Sequence, residues 1–265
     1  MRADDRPATR RVLVTGAASG LGLALTRLLV ERGDEVLATD TATERPAPLP
    51  TGARYHPLDV RDDGAWAAAL AEADGHWGGL DVLVNNAGVA AGGRIDVETM
   101  QEWTRLVDVN LLGVVRGCRA VTPAFKAQGS GHLVNVASLA GLVHAPGMSA
   151  YNAVKAGVVA LSETLAFELA PHGIDVTVAC PSFFRTGLGS SFAGADTALA
   201  DTGRRLVDGS RRGADEVAAT VLRGVDARRH LVLTDRDGRI AWRAKRLAHP
   251  VYAAAMRRAG RRLAR

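Results

Sequence analysis

The chain is 265 residues long, 47% hydrophobic and 23% charged, the balance of a folded protein with a sizeable core and not of a disordered, collagen-like or disulfide-stapled chain. Cys118 and Cys180 are too few for a disulfide framework, no apolar run reaches the roughly 18 residues of a membrane span, and the start of the chain lacks the apolar core of a secretory signal, so a cytoplasmic globular protein is expected. The net charge of +5 is unevenly spread, since residues 239–265 carry +9 with no acid and the rest of the chain is −4.

In chain order, residues 11–15 read as a strand, followed by a glycine-rich turn. A helix over 20–32 comes next, with Leu21, Ala24, Leu25, Leu28 and Leu29 on one face and Gly33 closing it. A second strand over 35–40 completes a parallel β-α-β unit. Pro46, Pro48 and Pro50 then leave no room for a full crossover helix between residues 40 and 54. The pattern continues with a strand at 54–60, a helix at 62–76, a strand at 80–84, helical stretches across 97–128, a strand at 132–137, a helix at 150–170, a strand at 174–179, a helix at 214–228 and a strand at 230–234. Strands that are apolar without alternation, separated by helices, predict an α/β fold with a doubly wound parallel sheet covered on both faces. We expect one domain over 11–235, after a flexible 1–10 and before a basic, helical extension at 236–265.

The turn after the first strand holds Gly16, Ser19, Gly20, Leu21 and Gly22. Glycines there let the backbone approach a ligand, and the helix that follows presents its N-terminus to a phosphate. Between a strand and a helix of the first β-α-β unit, this reads as a dinucleotide pyrophosphate site. Asp40, ending the second strand, can accept hydrogen bonds from both ribose hydroxyls and repels a 2′-phosphate, which favours NAD over NADP. Arg45 is near enough in sequence to support the NADP alternative.

Tyr151 and Lys155 stand four apart near the start of a helix and share one face, in a chain with only three tyrosines and three lysines. An ammonium beside a phenol favours phenolate, drawing the tyrosine toward the range of a general acid/base. Ser138 closes a strand at the carboxyl edge, where ligands of open α/β sheets lie.

Through Thr15 to Gly22, Asp59-Val60, Asn85-Asn86-Ala87-Gly88, Asn110, Ser138, Tyr151-Asn-Ala-Val-Lys155 and Pro181 to Thr186, the chain resembles the short-chain dehydrogenase/reductase family over residues 11–187. The resemblance implies a Rossmann-type, three-layer α/β/α fold with a seven-stranded sheet, and hydride transfer between a nicotinamide and an alcohol or carbonyl. It makes Tyr151 the acid/base, Ser138 the partner of the substrate oxygen, and Lys155 the ligand of the nicotinamide ribose that lowers the tyrosine pKa. Asn110 would hold a relay water, Asp59 and Val60 would meet the adenine, and Asn86, Ala87 and Gly88 would line the adenosine ribose. Pro181, Phe184 and Thr186 would lie at the nicotinamide. No metal is implied. A homodimer or homotetramer is implied, the dimer through helices 107–128 and 150–170. Two departures stand out: Ser182 replaces the family's glycine after Pro181, and a basic tail replaces a Gly-rich end that packs in tetramers.

Leu139, His144, Met148, Phe183 and Leu188 should surround the reactive carbon, and their mostly apolar character favours a hydrophobic secondary alcohol or ketone. In the tail, Val251, Tyr252, Ala255, Met256, Ala259 and Leu263 recur at helical spacing, with Pro250 in the first turn and Arg257, Arg258, Arg261, Arg262 and Arg265 on the other face. Such a helix can pack on its own domain, on a partner subunit or peripherally on an anionic membrane; nucleic acid is not favoured, because no recognition motif accompanies the arginines. The expected function is an NAD-dependent oxidoreductase for a secondary alcohol or ketone. The alternatives are an NADP-dependent ketoreductase in biosynthesis and a tail-anchored cofactor-binding protein with little turnover.

Overall fold

The computed structural model describes residues 9–185 and 194–263. β1 (Arg11–Thr15), β2 (Glu35–Asp40), β3 (Ala53–Pro57), β4 (Val82–Asn85), β5 (Gly131–Val136), β6 (Ile174–Cys180) and β7 (Leu231–Leu233) form a seven-stranded sheet in the order β3-β2-β1-β4-β5-β6-β7, each neighbouring pair parallel. The chain runs outward from β1 to β3 and returns to β4 on the other side. This switch leaves a crevice over the C-terminal ends of β1 and β4.

The helices are α1 (Gly20–Glu31), α2 (Asp63–Trp77), α3 (Met100–Val107), α4 (Gly113–Gln128), α5 (Ser149–Leu169), α6 (Thr197–Asp208), α7 (Ala214–Asp226), α8 (Arg236–Leu247) and α9 (His249–Leu263). Val12, Val14, Val36, Val84 and Val134 pack under Leu25 and Leu29 of α1 and Val221 of α7. Leu13, Leu37, Leu83 and Leu133 face the other way, against Trp66 of α2, Phe125 of α4 and Val158 of α5. The unbroken apolar strands are thus ordinary alternation with both faces covered, in three Rossmann-type layers.

As expected, no helix joins β2 to β3. Three features differ from the sequence reading. The stretch over 97–128 is interrupted by a π-helical turn, Asp108–Leu112, between α3 and α4. Helix α6 falls where a loop was expected, although its residues are amphipathic at helical spacing, with Ala200 and Val207 buried. Beyond β7, α9 carries Pro250 in its first turn as expected, and a further helix, α8, precedes it. Among the described residues, no helix is long and apolar enough to cross a membrane.

Cys118 and Cys180 are buried free thiols, and burial pushes both up to about 12, which leaves them unreactive. On β5, buried His132 meets Thr177 Oγ1 at 2.8 Å, and burial lowers its pKa from 6.5 to about 4. The unfolded chain therefore binds a proton at a higher pH than the folded one, and stability falls as pH drops from about 6.5 to about 4. The loss attributable to this residue is about 3 kcal/mol. Urea unfolding across that window should show the slope in the parent and a shallower one in His132→Val, where Thr177 keeps its bond to the Arg229 carbonyl.

Candidate active site

The C-terminal ends of the central strands open into a cavity of about 560 Å³. Gly16, Ser19, Gly20, Leu21, Asp40, Asp59, Val60, Asn86, Ala87, Gly88, Ser138, Tyr151, Lys155, Pro181 and Phe184 all line it. Gly22 and Asn110 stand behind its wall, and Thr186 and Leu188 lie outside the described residues.

Gly16 and Gly20 adopt the left-handed conformation (φ +65° and +54°) that turns the chain from β1 into α1. Asn86 Nδ2 donates to the carbonyls of Thr15 (2.9 Å) and Gly16 (3.2 Å), tying this turn to the end of β4. At the end of β2, Asp40 Oδ2 accepts the Ala18 N–H (3.0 Å) and Oδ1 accepts the Thr41 N–H (2.8 Å), which holds the carboxylate at the rim. Arg45 folds onto its own loop instead, donating to the Ala53 and Pro50 carbonyls at 2.7 Å each, and does not line the cavity. Asp59 pairs with Arg61 (2.6 Å), whose hydrogen bonds hold its carboxyl below the usual range.

At the other end, Ser138 lies two residues past β5 and caps a 3-10 turn by accepting the Ala140 N–H (3.1 Å). Tyr151 and Lys155 come from the first turns of α5. Lys155 Nζ donates to the Val136 carbonyl (2.9 Å) and stands 5.9 Å from the centre of the Tyr151 ring. Burial lowers Lys155 to about 8. Burial also raises Tyr151, while a hydrogen bond from Ser138 pulls it back down. Asn110, in the π-helical turn, brackets Val89 by accepting its N–H (2.8 Å) and donating to its carbonyl (2.9 Å). A Cβ on Gly88 would fall 2.8 Å from Asn110 Oδ1 and 3.7 Å from Lys155 Nζ, so only glycine leaves these two groups adjacent.

Leu139, Met148 and Phe183 line the remaining part of the cavity with Val143, Ala145 and Val207. His144 does not join them: its ring meets Lys245, and burial together with that charge lowers its pKa. Val207 lies in the stretch 182–210 expected from the sequence to surround the reactive carbon, whereas Arg61 and Arg105 were not expected to line the cavity. Arg61 was signalled by Asp59 two residues earlier; Arg105 has no such local signal.

The arrangement offers a glycine turn at the N-terminus of α1, a carboxylate at the end of β2, and a phenol with a hydroxyl and an ammonium in the same cavity. The short chain dehydrogenase family profile matches residues 10–195. A 2-(R)-hydroxypropyl-CoM dehydrogenase of Xanthobacter autotrophicus is 38% identical over 192 residues, covering 67% of this chain and 76% of that protein. A 3-alpha-(or 20-beta)-hydroxysteroid dehydrogenase of Mycobacterium tuberculosis is 39% identical over 178 residues, covering 66% and 68%. The crystal structure of a short chain dehydrogenase/reductase from Burkholderia phymatum in complex with NAD superposes with a TM-score of 0.83 at 28% identity, covering 92% of this chain and 95% of that one. Taken with the sheet order and the cavity, these likenesses show that the chain belongs to the short-chain dehydrogenase family and is an NAD(P)-dependent oxidoreductase acting on CH–OH groups.

Proposed function

We propose that the protein interconverts a hydrophobic secondary alcohol and its ketone with NAD, and that Tyr151 moves the proton. The observation that carries this reading is the meeting of Ser138, Tyr151 and Lys155 in the cavity that also holds Asp40. The glycine turn and Asp40 fit a dinucleotide, with the pyrophosphate at the N-terminus of α1 and a ribose at the carboxylate. When bound, the nicotinamide supplies the hydride acceptor. Tyr151 Oη takes the hydroxyl proton in oxidation and returns it in reduction. The Ser138 hydroxyl orients the substrate oxygen and stabilises charge developing on it. Lys155, held by the Val136 carbonyl, keeps a positive charge near the phenol, Asn110 positions Val89, and a proton-relay water between Asn110 and Lys155 belongs to the same reading.

Leu139, Val143, Met148, Phe183 and Val207 support an apolar substrate. Phe167 of α5, 82% exposed, is consistent with a homodimer through the α5 face.

NADH and NADPH titrations followed by fluorescence test the cofactor assignment. The parent should bind NADH at least about tenfold more tightly, the equivalent of about 1.4 kcal/mol, and Asp40→Ala should erase that ratio. A parent preferring NADPH would overturn the NAD assignment in favour of ketone reduction, and binding of neither would overturn the whole reading.

A further inference from the structure

The basic tail reaches the loop between Ser138 and Tyr151. The start of α8 is tied to the cavity wall, because Asp235 caps the helix through the Gly238 N–H (2.6 Å) while accepting the Ser182 hydroxyl beside Pro181. From the last turn of α8, Lys245 Nζ donates to the Leu142 carbonyl (2.8 Å) and stands 3.1 Å from His144 Nδ1. From α9, Tyr252 Oη accepts the His144 backbone N–H (3.2 Å). At the far end of the loop, a Cβ on Gly147 would fall 3.0 Å from Leu263 and 2.8 Å from Leu199, so α9 and α6 close over it.

The loop alternates. Leu142 and His144 are bonded outward to the tail, whereas Val143 and Ala145 face the cavity. Of the three ring contacts of His144, a neutral tautomer with Nε2–H facing the Gly141 carbonyl (3.4 Å) leaves Nδ1 to accept from Lys245, whose Nζ also stands 3.3 Å from Nε2. A loop between two reacting groups keeps its shape only where its backbone is held, and here the tail supplies three of the holds.

We propose that α8 and α9 form the outer wall of the substrate site, and that Lys245 is a positioning residue. Through Leu142 and His144 it fixes the 139–148 loop and so limits the size of alcohol admitted beside Ser138 and Tyr151. This rests on the oxidoreductase reading of that site.

The test uses full-length Lys245→Met and Lys245→Arg. Hydrogen exchange over residues 139–148 should quicken about tenfold in Lys245→Met and stay unchanged over residues 11–22. NADH affinity should hold within about twofold, while discrimination between cyclohexanol and a hydroxysteroid falls about fivefold or more, through KM and not kcat. Lys245→Arg should restore both. If Lys245→Met does not fold, Tyr252→Phe, which removes the acceptor of the His144 N–H, is expected to show the same pattern more weakly. Parental exchange and selectivity in Lys245→Met would overturn the wall. A parent that turns over neither alcohol would count against the oxidoreductase reading, and the exchange result would then decide the clamp by itself.

Discussion

Tyr151→Phe is expected to lower kcat for alcohol oxidation by about 10³-fold and to leave NADH affinity within about twofold. The substitution removes one oxygen and keeps the ring, which packs among Ala91, Leu106, Ala150 and Val154, so the fold has no reason to change. What is lost is the proton acceptor at the only place where Ser138 and Lys155 both flank it. Steady-state turnover with NAD and fluorescence titration with NADH read the two quantities separately. Unchanged turnover would mean that another group carries the proton. Undiminished biological function in a variant without turnover would instead favour a binding role.

Gly22→Val is expected to abolish dinucleotide binding and to destabilise the protein by about 3 kcal/mol. A Cβ at residue 22 would lie 2.5 Å from Asn86 Nδ2 and well inside van der Waals contact with the Gly16 carbonyl oxygen. Neither can retreat. Gly16 is already in the left-handed region, and Asn86 is bonded to the Thr15 and Gly16 carbonyls. Relief requires α1 to move off β1, which opens the turn meant for the pyrophosphate. Thermal unfolding should fall by roughly 6–12 °C, and NADH titration should show no saturable binding. Parental affinity would show that the turn has room that its geometry denies.

Most of the sheet was legible because its strands are apolar on both faces and its turns are marked by glycine and proline. The reacting pair was legible because four residues is one helical turn, so Tyr151 and Lys155 had to share a face once the helix was recognised. Other features depend on contacts with no local signature. Arg45 is spent on carbonyls of its own loop, a choice set by how the chain between β2 and β3 folds back. In the π-helical turn, Asn110 reaches Val89, twenty-one residues earlier. His144 points outward because a lysine 101 residues later meets it. In each case the deciding partner is distant, and periodicity carries no trace of it.

The reach of Lys245, Tyr252 and Leu263 to the 139–148 loop has a consequence for synthesis. The glycine turn and β1 are made early, whereas the groups that hold the loop beside Ser138 lie far downstream of both the turn and the loop itself. Until those residues leave the ribosome the loop lacks these holds, so the shape of the alcohol site is settled later in synthesis than the turn that faces the dinucleotide.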